Sequence, residues 1–126
     1  MKAKYKLVFL ALTLLFVTYQ TFGYSTEKIL SVTCYYSQGT AYGTKYLGWS
    51  AAGFVSGNIY NGPGEFYIEV HITGGGIDRY VTRTVTGFFY FDIGFLSSQN
   101  VVHVTVVPYE GNANTYCTVD VWQWKQ

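Results

Sequence analysis

Apolar and polar residues alternate with a period of two over most of the chain. Phe66, Ile68, Val70 and Ile72 alternate with Glu65, Tyr67, Glu69 and His71. That pattern predicts a strand with one dry and one wet face. Leu30, Val32 and Cys34 alternate with Ser31 and Thr33, and Phe89, Phe91, Ile93 and Phe95 with Tyr90, Asp92 and Gly94. Val102, Val104 and Val106 alternate with His103 and Thr105, and Cys117, Val119 and Val121 with Thr118 and Asp120. Weaker alternation over 52–60 and 79–86 predicts two more strands. After the N-terminal segment no i, i+3, i+4 stripe predicts a helix.

The breaks between these runs are turn sequences. Asn61-Gly62-Pro63-Gly64 joins residues that tolerate positive φ to one that presets φ. The three glycines at 74–76 predict a hairpin, and polar stretches at 97–100 and 110–114 separate the later strands. About seven short strands with one buried face each predict an all-β fold, a single antiparallel immunoglobulin-like β-sandwich over 24–126.

Residues 1–23 read differently. Lys2, Lys4 and Lys6 precede an uncharged apolar run at 7–17, and Thr21 and Gly23 place small residues at −3 and −1. This is the layout of a secretory signal peptide, with cleavage expected after Gly23 or Ser25. An uncleaved anchor is the alternative, although the run is shorter than the roughly 20 residues a span needs. Five basic residues then remain against seven acidic ones, a net charge of −2. The exported domain therefore offers no basic patch for nucleic acid. The predicted location is secreted or cell-surface, with no stable membrane span after cleavage.

Export also bears on Cys34 and Cys117. Outside the cell, two cysteines in a small domain are most simply a disulfide, here one joining the first strand to the last. Closing a loop of that length is worth about 4.5 kcal/mol in the chain-entropy model. Free thiols or a metal pair are the alternatives. No N-x-S/T sequon occurs, so N-glycosylation is not expected.

Candidate chemistry is sparse. Strand phase turns Glu69, His71 and His103 outward, and neighbouring strands would bring them to one exposed face. Two histidines and a carboxylate are metal-capable, but as surface residues they read first as solvated side chains, and no metal site is predicted. The other acids show no acid–base pairing, and neither a G-x-S-x-G elbow nor a phosphate loop occurs. The reading is non-enzymatic, with no catalytic residue and no cofactor.

Composition sharpens it. Charged residues are only 12% of the chain and aromatics 20%, which excludes ordinary disorder. Phenylalanine supplies core volume. The phase of the last strand points Tyr116, Trp122 and Trp124 outward, and Tyr67 and Tyr109 share a face. Tyr42, Tyr46 and Trp49 crowd a Gly/Ser/Thr-rich segment. Tyrosine and tryptophan give large contact area with a polar handle, so these eight form the predicted ligand or assembly surface. Tyrosine ladders packing across strands are the structural alternative.

The run Gly53-Phe54-Val55-Ser56-Gly57-Asn58-Ile59-Tyr60-Asn61-Gly62, followed by E-x-Y-x-E-x-H, resembles secreted immunoglobulin-like modules of the FxLYD type. The resemblance covers roughly residues 50–109. The sequence departs from it at Ile59, over 35–49, and in lacking the antibody spacing of Cys, Trp and Cys. The resemblance implies an extracellular interaction or spacer module without catalytic residues.

Three functions follow. The first is a structural, adhesive or interaction module that contacts extracellular proteins or identical subunits, through edge strands and exposed aromatics. The second is a carbohydrate- or small-ligand-binding module in which Tyr42, Tyr46, Trp49, Trp122 and Trp124 stack on sugar rings. The third is a secreted inhibitor or effector. Low charge with abundant Tyr, Thr and Gly favours the first.

Overall fold

The computed structural model describes residues 25–125, and the predicted signal peptide lies outside them. The chain forms eight strands: β1 (Ser25–Tyr35), β2 (Ala41–Tyr46), β3 (Ala51–Tyr60), β4 (Glu65–Gly74), β5 (Ile77–Val85), β6 (Phe89–Leu96), β7 (Val101–Glu110) and β8 (Tyr116–Lys125). A 3-10 turn at Tyr36–Gln38 follows β1. Among the described residues no helix is long and apolar enough to cross a membrane.

The strands build two antiparallel four-stranded sheets, ordered β1-β8-β3-β6 and β2-β7-β4-β5. The predicted all-β sandwich is present, but its connectivity differs from the immunoglobulin order. β4 and β5 form a hairpin, while every other consecutive pair crosses from one sheet to the other. This interleaving is that of a jelly roll. The hairpin turns on the predicted glycines, Gly74, Gly75 and Gly76, all with φ between 63° and 90°.

The core follows the period-two reading. Phe66, Ile68, Val70 and Ile72 of β4 face Val55, Cys117, Val119 and Val121 of the other sheet, joined by Val32, Val102, Val104 and Val106. Each such side chain contributes roughly 1.5–3 kcal/mol on burial.

Two strands depart from the sequence reading. The segment at 41–46, not among the predicted strands, is edge strand β2, paired with β7. Its inward positions are Ala41 and Gly43, so no apolar alternation marks it. A Cβ on Gly43 would come within 2.6 Å of Val32 Cγ2, which explains the small residue there. In β6, Phe95 was expected inward and is instead 60% exposed. A bulge shifts the β3–β6 register, so that Gly53 pairs with Gly94 and Phe54 with Asp92. Gly94 has φ 80°, a left-handed conformation suited to glycine. Arg79 of β5 reaches across to this bulge and donates from Nη2 to Ile93 O (2.7 Å) and Phe95 O (3.2 Å). Leu96 fills the core position Phe95 gives up.

Cys34 and Cys117 stand directly opposite each other across β1 and β8, and both are fully buried. In this structure the two are free thiols rather than the expected disulfide. Their sulfurs turn to backbone instead. Cys34 Sγ donates toward Gly39 O (3.3 Å) and Val106 O (3.5 Å), and Cys117 Sγ toward Thr118 O (3.8 Å). Burial pushes the Cys34 thiol up. Burial, with Cys34 beside it, pushes Cys117 up to about 12.

Candidate functional site

The outer face of the β1-β8-β3-β6 sheet is organised in rows by register. Lys28, Trp122, Phe54 and Asp92 stand abreast on the four strands. Ser31, Asp120, Ser56 and Tyr90 form the next row, then Thr33, Thr118 and Asn58. Tyr35, Tyr116 and Tyr60 form the last. Outward phase on β8 is fixed by buried Cys117, Val119 and Val121, which leaves Tyr116, Trp122 and Trp124 on this face as predicted.

Rings and charges at the first row are mutually fixed. Phe54 lies nearly parallel to Trp122, with centroids 6.1 Å apart and planes 8° apart. It also packs 5.0 Å from Tyr90 and 6.4 Å from Trp124. Trp122 Nε1 donates to Ser56 Oγ (2.9 Å), and Lys28 Nζ sits 5.4 Å over its ring. Lys28 also reaches Asp120 (3.7 Å), which accepts from Ser31 Oγ (2.6 Å). Lys125 pairs with Glu27 (3.0 Å) and lies 5.2 Å over Trp49. Such exposed pairs add little stability. What they do here is occupy both lysines and set them over the Trp122 and Trp49 rings.

Trp49 arrives from the loop before β3. Gln123, fully buried at the inward position after Val121, donates from Nε2 to Trp49 O (3.0 Å) and Ala51 O (3.2 Å). Trp49 Nε1 in turn donates to Trp124 O (2.7 Å). Trp49 is thus tied to the end of β8 on the side of Gln123 and Lys125, while Trp122 and Trp124 stand on the outer face.

The other predicted residues lie elsewhere. Tyr42 and Tyr46 are on β2 in the opposite sheet, 75% and 76% exposed. Register sets them against Thr105 and Val101, apart from Trp122 and Trp124. Tyr67 and Tyr109 stack there too, with centroids 6.0 Å apart. The eight residues predicted as one surface thus divide between two faces. Sequence reading missed Phe54 and Tyr60. Their signal was the outward phase of β3 around Val55, masked by two inward glycines, Gly53 and Gly57.

His71 and His103 are register partners on β4 and β7, as strand phase predicted. His71 stacks on Tyr80 (3.9 Å) and bonds Asp78, while His103 bonds Thr44 (3.3 Å) and Thr73 (3.2 Å). Glu69 lies one row away, opposite Thr105. Among the described residues no three His, Cys, Asp or Glu side chains are arranged to hold a metal ion.

One carboxylate pair escaped the sequence reading. Glu65 stands opposite Glu110 beside a register shift in β4–β7. Both line an open cavity of about 510 Å³ with Pro63, Gly64, Thr86 and Asn112. The bulge hides this pairing from strand periodicity.

No protein-family model matches the chain, and no curated protein matches it. Among solved structures it is similar to TmCBM61 in complex with beta-1,4-galactotriose, at 15% identity, 76% of this chain, 70% of that chain and TM-score 0.46. It is also similar to the carbohydrate-binding module CBM36 in complex with calcium and xylotriose, at 17% identity, 82% and 90% coverage and TM-score 0.37. Eiger TNF from S. frugiperda is similar at 9% identity, 74% and 92% coverage and TM-score 0.35. At these TM-scores the likenesses carry no argument about what this chain binds.

Proposed function

We propose that this chain is a non-enzymatic extracellular module that holds neutral carbohydrate on the outer face of the β1-β8-β3-β6 sheet. One observation carries the reading: the Trp122–Phe54 stack adjoins a row of hydroxyl and carboxylate groups, Ser31, Asp120 and Ser56. A pyranose ring has an apolar C–H face and hydroxyls at its rim. The rings match the first and the polar row matches the second. Both lysines are paired with carboxylates and Asp92 adds a further negative charge, so the face does not select an anionic ligand.

Trp122 and Trp124 lie on this face and Trp49 bonds the Trp124 carbonyl beside it, so tryptophan fluorescence reports on the site. Titration with soluble neutral xylan, galactan and glucomannan is expected to give a saturable change with at least one of them. Trp122→Ala weakens that binding more than about tenfold, the scale of a lost aromatic contact. No response to any of the three contradicts the proposal.

A second reading has its own observation. Phe88 and Phe95 are 76% and 60% exposed and carry no polar group, which favours a protein contact along the β6 side. Strand addition is a poor route for it. β1 and β6 carry bulges, β2 is six residues long, and β5 carries Arg79 and Arg83. Sedimentation across a concentration series tests this contact. An association lost in Phe88→Ser and Phe95→Ser supports it, and a monomer throughout rejects it.

We propose further that an oxidising exterior joins Cys34 to Cys117. Opposed antiparallel residues have Cα atoms about 4.5–5.5 Å apart, within the roughly 4.4–6.8 Å a disulfide spans. The two thiols would lose two protons and two electrons to a disulfide or oxygen oxidant. Mass spectrometry after exposure to oxidised glutathione should show the loss of two hydrogens, whereas persistent thiols reject the bond.

A further inference from the structure

We infer that the ligand is an extended neutral glycan chain running along β8, because the same face carries a second aromatic platform at its far end. This inference rests on the carbohydrate reading above and names the length of its ligand. Tyr116 lies between Tyr35 and Tyr60, with ring centroids 5.2 Å and 5.1 Å away. Tyr35 and Tyr60 are each 42% exposed, so both rings offer surface to solvent.

Register fixes the separation. Six residues along β8 divide Tyr116 from Trp122, about 20 Å at strand rise. One sugar ring cannot touch both platforms, but a chain of several rings can. The intervening rows supply Ser31, Asp120 and Ser56, then Thr33, Thr118 and Asn58. Hydroxyl and amide groups therefore line the whole path between the ring platforms. Its lysines are already matched, Lys28 to Asp120 within the path and Lys125 to Glu27 beyond its tryptophan end, and Asp92 at the β6 edge adds a carboxylate. Charge complementarity thus favours a neutral chain over a sulfated or uronic one.

The alternative use of the tyrosine row is packing alone, as a ladder that ties β1, β8 and β3. It would then be indifferent to ligand length. The trio also stands where the 61–64 and 111–115 loops leave the sheet, at the limit of the outer face. A ligand lying along β8 from the tryptophans ends there.

Calorimetric titration with neutral β-linked gluco-, xylo- and galacto-oligosaccharides, from disaccharide to hexasaccharide, tests the inference. The hexasaccharide of at least one series should bind about tenfold or more tighter than its disaccharide, because the second contact becomes intramolecular. Tyr116→Ala should reduce the hexasaccharide to disaccharide affinity and leave the disaccharide unchanged. Tyr60→Ala, at a strand end and half exposed, should do the same with little effect on folding, and Tyr116→Phe should keep the gain. Equal affinity for all lengths, or tyrosine variants without effect on the hexasaccharide, overturns the inference while the Trp122 site stands. Failure of every oligosaccharide and polysaccharide to bind overturns the carbohydrate reading, and this inference with it.

Discussion

The two outward faces of the sandwich both carry aromatic rings, and they differ in what register does with them. On the β1-β8-β3-β6 sheet, rings stand abreast: Trp122 beside Phe54, and Tyr35, Tyr116 and Tyr60 in a single row. Polar rows lie between, and the nearby lysines face carboxylates. On the β2-β7-β4-β5 sheet, Tyr42 and Tyr46 stand apart on an edge strand, Tyr67 and Tyr109 form an isolated pair, and Tyr80 stacks on His71. Aromatic content alone does not make a platform. Cross-strand alignment does, and only one face has it over its length.

The sharpest way to break this comparison is to make the same substitution under each face. A Cβ at Gly57 would meet Thr118 O at 1.9 Å and Phe89 Cζ at 2.4 Å. Backbone cannot yield there, so Gly57→Ala should cost about 3 kcal/mol or more and spoil the ring rows above it. At Gly43 the added atom meets methyl groups of Val32 and Leu30 instead. Side chains can give way, and Gly43→Ala should cost nearer 1 kcal/mol. Urea denaturation of both variants checks the difference. Equal losses would contradict the packing argument.

The cysteines give the next effect, confined to the first sheet. With Cys117 raised from 9.0 to about 12, the fold favours the neutral thiol. Its contribution is complete below about pH 9 and is lost as pH climbs toward 12, by about 1.4 kcal/mol per pH unit. Comparing wild type with Cys117→Ala over pH 8–11 isolates this slope from tyrosine titration. A reduced wild type with no steeper slope than the variant contradicts it, and the oxidised protein should lack it as well.

Smaller effects separate the faces by ligand. Trp122→Ala should weaken polysaccharide binding more than about tenfold, while Tyr67→Ala should leave it unchanged and cost at most about 1 kcal/mol of stability from the lost stack. His71→Ala should likewise leave binding intact. A loss of binding in either second-face variant would place the ligand on the wrong sheet for this account.

Most of the core was legible in the sequence, because buried positions on β4, β7 and β8 repeat every second residue without interruption. The failures have local causes. β2 is invisible because its inward positions, packed under Val32 and Leu30, are the small residues Ala41 and Gly43. Phe95 misleads because the bulge at Gly94 inverts strand phase from there to the end of β6, and strand periodicity cannot detect an inserted residue. Outward Tyr116, Trp122 and Trp124 were readable from β8 alone. Their partners Phe54, Tyr35 and Tyr60 required knowing that β8 lies between β1 and β3, which is a matter of long-range pairing. The same gap explains why Tyr42 and Tyr46 were grouped with tryptophans that lie on the opposite face.

The central claim is that one face is a binding platform and the other is not. Amide chemical-shift mapping of the isotope-labelled chain against the polysaccharide that changes its fluorescence tests this most directly. The account predicts shifts along β8, β3 and β1, strongest around Trp122 and extending toward Tyr116. Shifts concentrated on β7, β4 and β2, around Tyr42, Tyr67 or His71, would contradict it.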